Sequence, residues 1–232
     1  SFRECNAFGI VMSNGLDAFS QLVNYASSVG IVMVAAAGND NIVGFSSPAA
    51  ASRAITVAAC DDRNTVSRTD DTWAVFPNQG PRADDFGSDP YDELKPEVTA
   101  PGVNITSARH NTTNGYVSFD GTSMACPHVV GLAALILQKY PGINPSSVKD
   151  LIIRTSEDVA PSHDPPSPAG STWNADWGYG YIDAFAALNA SPTSDVNFPS
   201  YPPAIPWLSP DITTSVTPIT EGIPNTVIAT IK

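Results

Sequence analysis

The two residues of this chain best suited to chemistry are Ser123 and Asn39. Ser123 stands in Gly121-Thr122-Ser123-Met124-Ala125-Cys126-Pro127-His128, directly ahead of an apolar run from Val129 to Leu137 that predicts a helix. Gly121 lets the chain turn sharply, and Pro127 is a residue that helices tolerate in their first turn. Ser123 therefore falls among unpaired N–H groups at the positive end of a helix dipole, where an incoming negative charge is favoured. A hydroxyl so placed is a candidate nucleophile. Asn39 follows an apolar run from Ile31 through Ala35, Ala36 and Ala37, bounded by Gly30 and Gly38, which reads as a buried parallel strand. In open α/β sheets ligands sit beyond the carboxyl ends of strands, and an asparagine NH2 there can donate to a developing oxyanion. Taken singly, each has a plain reading as well: Gly-x-Ser as a capped helix start, Asn39 as a turn residue.

The elements that must hold these two residues alternate between strand and helix. Gly9 to Ser13 predicts a strand, Asp17 to Val29 an amphipathic helix with Leu22, Val23, Ala26 and Val29 inward, and Ile31 to Ala36 the next strand. Such βαβ units require a parallel sheet with right-handed crossovers. Ala54 to Cys60 adds a strand. The helix after Ser123 carries Val129, Val130, Leu132, Ala133, Leu135 and Ile136 nearly all round, which predicts a central buried helix. Asn144-Pro145 starts a shorter helix over Ser146 to Thr155, with Val148, Leu151 and Ile152 inward. Residues 61 to 95 and 157 to 176, rich in Asp, Ser and Pro, read as surface loops.

Gly-Thr-Ser-Met-Ala followed by Pro-His resembles the nucleophile signature of the subtilisin-like serine peptidases, the subtilases of peptidase family S8. Ala36-Ala37-Gly38-Asn39 is similar to that family's oxyanion-hole motif, and it lies upstream of Ser123 as the family order has it. Ile10 to Gly15 resembles the segment that lines the substrate backbone. Lys95-Pro96-Glu97-Val98-Thr99-Ala100-Pro101-Gly102 resembles the family's Lys-Pro-Asp-Val-x-Ala-Pro-Gly, with Glu97 for the aspartate, and Trp177 to Ala184 resembles the segment that closes the catalytic domain. The resemblance implies a three-layer α/β/α fold with a parallel sheet over residues 1–190, incomplete at its N-terminus. It also implies Ser123 as nucleophile, Asn39 in the oxyanion hole, and substrate contacts from Ser13, Asn14, Gly15, Ala35, Ala36, Ala37, Gly38, Phe45, Ser46 and Thr122. Gly44 to Ala49 would form one wall of the pocket for the residue preceding the cut, opposite Ala35 to Ala37, with small apolar groups and no carboxylate.

A serine needs a base, and the base needs a carboxylate to hold its tautomer. The family supplies them from Asp-Ser/Thr-Gly and His-Gly-Thr motifs ahead of the Asn and Ser motifs, and neither occurs in these 232 residues. Of the three histidines, His110 and His163 look like loop residues, and His128 matches the structural Pro-His, a packed, hydrogen-bonded helix residue. The chain is accordingly expected to be a fragment cut at both ends, inactive alone, with its catalytic Asp and His upstream. The rival expectation is a non-catalytic relative that uses the fold to bind protein.

Beyond Ala190 six prolines between residues 191 and 210 predict a semi-extended linker. The alternation from Asp211 to Lys232 reads as the truncated start of a β-sandwich. Twenty-three acidic against eleven basic residues give a net charge of −12, which disfavours nucleic acid, since phosphate neutralisation needs a basic face. An acidic, lysine-poor surface keeps a secreted enzyme soluble, and the resemblance implies a secreted, extracellular monomer acting on protein or peptide substrates. No apolar run is long enough to span a bilayer. No cofactor is required; calcium stays open, because subtilases often bind it, although no ligand loop of recognisable spacing is present. Cys5, Cys60 and Cys126 do not form a disulfide framework, and the last two read as small core residues. Sequons at Asn104, Asn111 and Asn189 are glycosylation acceptors only in a eukaryotic secretory pathway.

Overall fold

Ile55 to Cys60 are buried without interruption, and a run of that kind is stable only as a strand covered on both faces. It forms the middle of the main sheet. In the computed structural model of the protein, which describes residues 4–5, 11–82, 93–158 and 172–193, the elements in chain order are β1 (Glu4–Cys5), β2 (Val11–Met12), α1 (Ala18–Ser28), β3 (Val34–Ala36), β4 (Ile55–Asp61), β5 (Thr72–Trp73), β6 (Val98–Pro101), β7 (Ile105–Ala108), β8 (Tyr116–Phe119), α2 (Thr122–Lys139), α3 (Pro145–Arg154) and α4 (Ala184–Asn189). All fall within one unit, Ser1–Phe198.

β3 and β6 flank β4, both parallel to it, with Val34 opposite Ile55 and Val57 opposite Val98. β5 pairs antiparallel with the end of β4, Cys60 facing Trp73. Beyond β6 the closing segment continues the ladder: Thr99 N–H donates to Gly180 O at 2.9 Å and Ile182 N–H to Thr99 O at 3.0 Å. Strand alternation sorts the core into two faces. Ile55, Val57, Ala59, Val98 and Ala100 pack against α2, α3 and α4, whereas Ala35 and Ala37 meet Val23 of α1 and the Phe45–Ala54 stretch. The expected mixed α/β architecture with parallel pairing is present. The sandwich strands expected over 211–232 and the linker beyond residue 193 lie outside the described residues.

Four expectations are corrected. β2 pairs antiparallel with β1 instead of entering a parallel βαβ unit with β3. Its edge is only two residues long, and the next N–H, that of Ser13, is taken by Phe45 O at 2.8 Å. In α1 the buried residues are Ser20, Val23, Asn24 and Ser27, and Val29 caps the helix exposed. Polar partners turn the helix: Ser20 binds Asp17 and Ser47, and Asn24 accepts Arg53 N–H at 2.8 Å. α2 is buried on one side only, through Ala125, Val129, Leu132, Ala133 and Ile136; Val130 and Leu135 remain 49% and 46% exposed because no described residue covers that face. Pro127 lies inside α2, past its first turn, which deprives the Ser123 carbonyl of the N–H that would close the helical bond.

Glu97, the residue that departs from the family's aspartate, is buried between two lysines. Its Oε1 accepts Lys95 Nζ at 2.8 Å and Lys149 Nζ, and its Oε2 accepts Thr56 N–H at 2.6 Å. The extra methylene suits a carboxylate that must serve both β4 and α3. Burial pushes the Lys95 ammonium down to about 8 against the attraction of Glu97, while Glu97, penalised by burial, is held below its ordinary value by Lys149 and Lys95. Glu97→Gln strands two buried ammoniums and should lower the unfolding free energy by about 3–5 kcal/mol, read from the urea midpoint at constant slope. The pH dependence follows from the same pair. Between about 8 and the ordinary 10.5 the unfolded chain holds a proton that folded Lys95 has shed, so this site's contribution to stability rises with pH across that window. Glu97's contribution is present above its ordinary 4.5 and is lost on acidification below it. Lys95→Met, which leaves one carboxylate on one ammonium, should flatten the alkaline rise.

Candidate active site

Gly121 precedes α2 with φ 151°, a conformation that favours glycine, and its N–H is anchored to Gly102 O at 2.8 Å. Gly102 is itself confined, since a Cβ there would meet the Ala59 Cβ at 2.5 Å. This close approach to the sheet brings the first turn of α2 to the carboxyl end of β3, where Asn39 follows Gly38 (φ 108°). Ser123 and Asn39 are both exposed there.

Thr122, fully buried, joins the two. Its N–H and its hydroxyl each donate to Asn39 Oδ1 at 2.9 Å, and Gly38 N–H donates to Thr122 Oγ1 at 3.2 Å. With the carbonyl end of the Asn39 amide so occupied, the NH2 end is the one left for a ligand; it points toward Gly121, where an added Cβ would lie 3.4 Å from Nδ2. The opening N–H groups of α2 divide unequally. Thr122 N–H goes to Asn39, and Met124 and Ala125 N–H turn back to Gly121 O at 2.9 and 3.3 Å. Ser123 N–H has no partner among the described residues. Two unspent donors, Ser123 N–H and Asn39 Nδ2–H, thus flank one exposed hydroxyl at a positive helix end, an arrangement that can hold an oxygen as it becomes negative.

The remaining expected substrate contacts separate into two groups. Ala35, Ala37 and Phe45 are packed into the core cluster around Val23, which leaves Ala36, Gly38 and Ser46 as the half-buried members of the facing walls. Ser13 and Asn14 are half-buried and Gly15 buried; Asn14 Oδ1 accepts Leu16 N–H at 3.1 Å, and Gly15 packs against Arg82 and Ala50 O. A carboxylate absent from the sequence expectation is bonded to Ser13 and to Ser47, the neighbour of Ser46. Asp17 accepts the hydroxyls of Ser13, Ser20 and Ser47 and the N–H groups of Phe19 and Ser20. Burial would raise its pKa, but the Ser13 and Ser47 hydroxyls with the Ser20 N–H hold the carboxyl well below the usual range.

Neither described histidine is hydrogen-bonded to Ser123. His128 Nδ1 meets Met124 O at 3.0 Å, and five residues along a helix put its ring well round from Ser123. It is hydrogen-bonded as expected but exposed, not packed. His110 is an exposed residue following β7, and His163 lies outside the described residues. Burial pushes the Cys126 thiol up, which makes it a poor competitor to Ser123. No group of three or more His, Cys, Asp or Glu among the described residues is arranged to hold a metal ion. Asp71, whose carboxylate is buried, has an arginine, Arg68, as its counter-ion at 3.9 Å. No described helix is long and apolar enough to cross a membrane.

Residues 5–180 match the sequence model of the subtilase family. The chain is 39% identical over 150 residues to the serine protease AprX of Bacillus subtilis, covering 59% of this chain and 32% of that protein. It is 37% identical over 155 residues to subtilisin DY of Bacillus licheniformis, covering 64% and 48%. It is 35% identical over 144 residues to a thermostable alkaline protease of Halalkalibacterium halodurans, covering 62% and 34%. The matches span between about a third and a half of the length of these relatives.

Proposed function

This chain belongs to the subtilase family, and on that premise we propose that it carries the nucleophile and oxyanion hole of a secreted serine endopeptidase. Ser123 Oγ attacks the carbonyl carbon of a peptide bond and gives its proton to a histidine; the carbonyl oxygen, now negative, is held by Ser123 N–H and Asn39 Nδ2–H. Collapse of this intermediate expels the amine, which takes the proton, and water then releases the acyl group by the same route. The observation that carries the reading is the pair of unspent donors beside Ser123, with Asn39 oriented by Thr122. The histidine and its aspartate, which the family carries in motifs not found in these residues, belong in this proposal to sequence preceding Ser1. Reading that sequence is the direct test. Asp-Ser/Thr-Gly followed by His-Gly-Thr is expected there, and other residues in their place would leave a subtilase-fold module that binds protein without cutting it.

The walls favour a neutral residue before the cut. Ala36, Gly38 and Ser46 offer no charge, and the Asp17 carboxylate beside Ser47 has its acceptor positions filled by three hydroxyls and two N–H groups. A lysine or arginine entering this cleft would lose its water without gaining a free counter-ion. Cleavage of a peptide library by the completed enzyme should therefore show small and apolar residues at that position. A dominant basic preference would overturn this and point to Asp17.

A further inference from the structure

Asn39 is useful in an oxyanion hole only if its backbone is fixed as well as its side chain, and the backbone is fixed by a residue the sequence did not single out. Asn78 is 1% exposed. Its main-chain N–H donates to Gly38 O at 3.1 Å, and its Oδ1 accepts Asp40 N–H at 2.9 Å. The first bond holds the peptide unit entering Asn39 and the second holds the peptide unit leaving it. The other end of the amide, Nδ2, donates to Gly44 O at 3.3 Å, so the side chain ties Asp40 to Gly44 while the main-chain N–H of the same residue holds Gly38. Gly38 is fitted closely to it, since a Cβ there would come within 2.8 Å of Asn78 Nδ2. Neighbouring bonds run along the same track: Asn41 N–H to Phe76 O at 3.0 Å, Gln79 N–H to Ile42 O at 2.9 Å and Gly44 N–H to Gln79 O at 2.8 Å.

We propose that Asn78 is the positioning residue of the oxyanion hole, acting through Asn39 by clamping the peptide units on either side of it. The inference rests on the reading of Ser123 and Asn39 given above. A donor that drifts by even about an ångström loses much of its advantage at the transition state while still tolerating the ground-state carbonyl. The effect of losing Asn78 therefore belongs to kcat.

The test uses the completed enzyme, with kcat expressed per site titrated by a serine-directed phosphonofluoridate, so that misfolded protein drops out of the comparison. Asn78→Ala should lower kcat about ten- to a hundredfold with KM nearly unchanged. In an Asn39→Ala background the same substitution should change kcat by less than about twofold, because the group being positioned is gone. An equal loss in both backgrounds would make Asn78 a support of the fold alone and overturn the proposal, as would an undiminished kcat in the single variant. Asn78→Ser, which retains a small polar group too short to reach both partners, should behave as the alanine variant does and covers the case in which alanine does not fold. Amide exchange at Asp40 gives a readout independent of catalysis: it should quicken in either variant, and unchanged exchange refutes the clamp. If the unmodified enzyme cleaves no peptide, or keeps its activity as Ser123→Ala, the peptidase reading has failed, and the Asp40 measurement still decides the clamp.

Discussion

Ser123→Ala in the completed enzyme should remove peptide turnover almost entirely, by about a millionfold in kcat, a figure that belongs to subtilisin, of this same family. No other group at the site can take over the attack. Cys126 is three residues along α2 with a thiol raised by burial, and the remaining donors can only stabilise charge. The 232-residue chain made alone should be as inert for the complementary reason, since it has the hydroxyl without the family's base and carboxylate motifs. It should also resist labelling by phosphonofluoridate. Rapid stoichiometric labelling of the isolated chain at Ser123, with turnover, would mean that His110, His128 or His163 acts as the base. Its handling should be poor as well. β3 ends the main sheet among the described residues, and Val130 and Leu135 stand exposed on α2, an unpaired edge and an apolar face that favour self-association.

Asn39→Leu should lower kcat by about a hundred- to a thousandfold, or roughly 3–4 kcal/mol, again the magnitude attached to this family's oxyanion asparagine. Leucine fills nearly the same space and removes only the donor. Because the amide matters most as charge develops on the carbonyl oxygen, KM should move little. The structure adds a corollary. Leucine also leaves the Thr122 N–H and hydroxyl without their shared acceptor at Asn39 Oδ1, so a loss of stability of about 1–3 kcal/mol should accompany the kinetic loss. Asn39→Asp keeps that acceptor and removes the donor, and should show the kinetic loss with less of the other. An unchanged kcat in either variant would show that Asn39 does not hold the oxyanion.

Local chemistry made parts of this molecule legible. Gly121 ahead of an apolar run marks the start of α2, uninterrupted apolar residues mark β4, and Asn144-Pro145 marks the start of α3, where Ser147 N–H is capped by Asn144 Oδ1 at 2.8 Å. What stayed hidden depends on partners far along the chain. The buried side of α1 is decided by Ser47 and Arg53, 27 and 29 residues from the helix positions they contact, and an amphipathic pattern counts serine and asparagine as outward. Asn78 sits in a stretch that reads as loop, and nothing local distinguishes it from a turn asparagine. The second lysine on Glu97 comes from 52 residues away. Around the site, residue types and spacing singled out Ser123 and Asn39, which Thr122 brings together, whereas the packing of Ala35, Ala37 and Phe45 into the core depends on partners that local pattern does not show.

The bond from Thr122 to Asn39 spans 83 residues, and the sheet between them also pairs over long stretches of chain, Val57 with Val98 at about half that separation. Contacts so far apart in sequence require the loop entropy to be overcome before they return any stability, which makes such topologies slow to fold. The oxyanion geometry has no local nucleus of its own and can appear only once β3, β4 and α2 have met. Order of assembly therefore sets when the site can exist: a half-folded chain carries Ser123 without Asn39 beside it, and the two meet only with the last long-range closure.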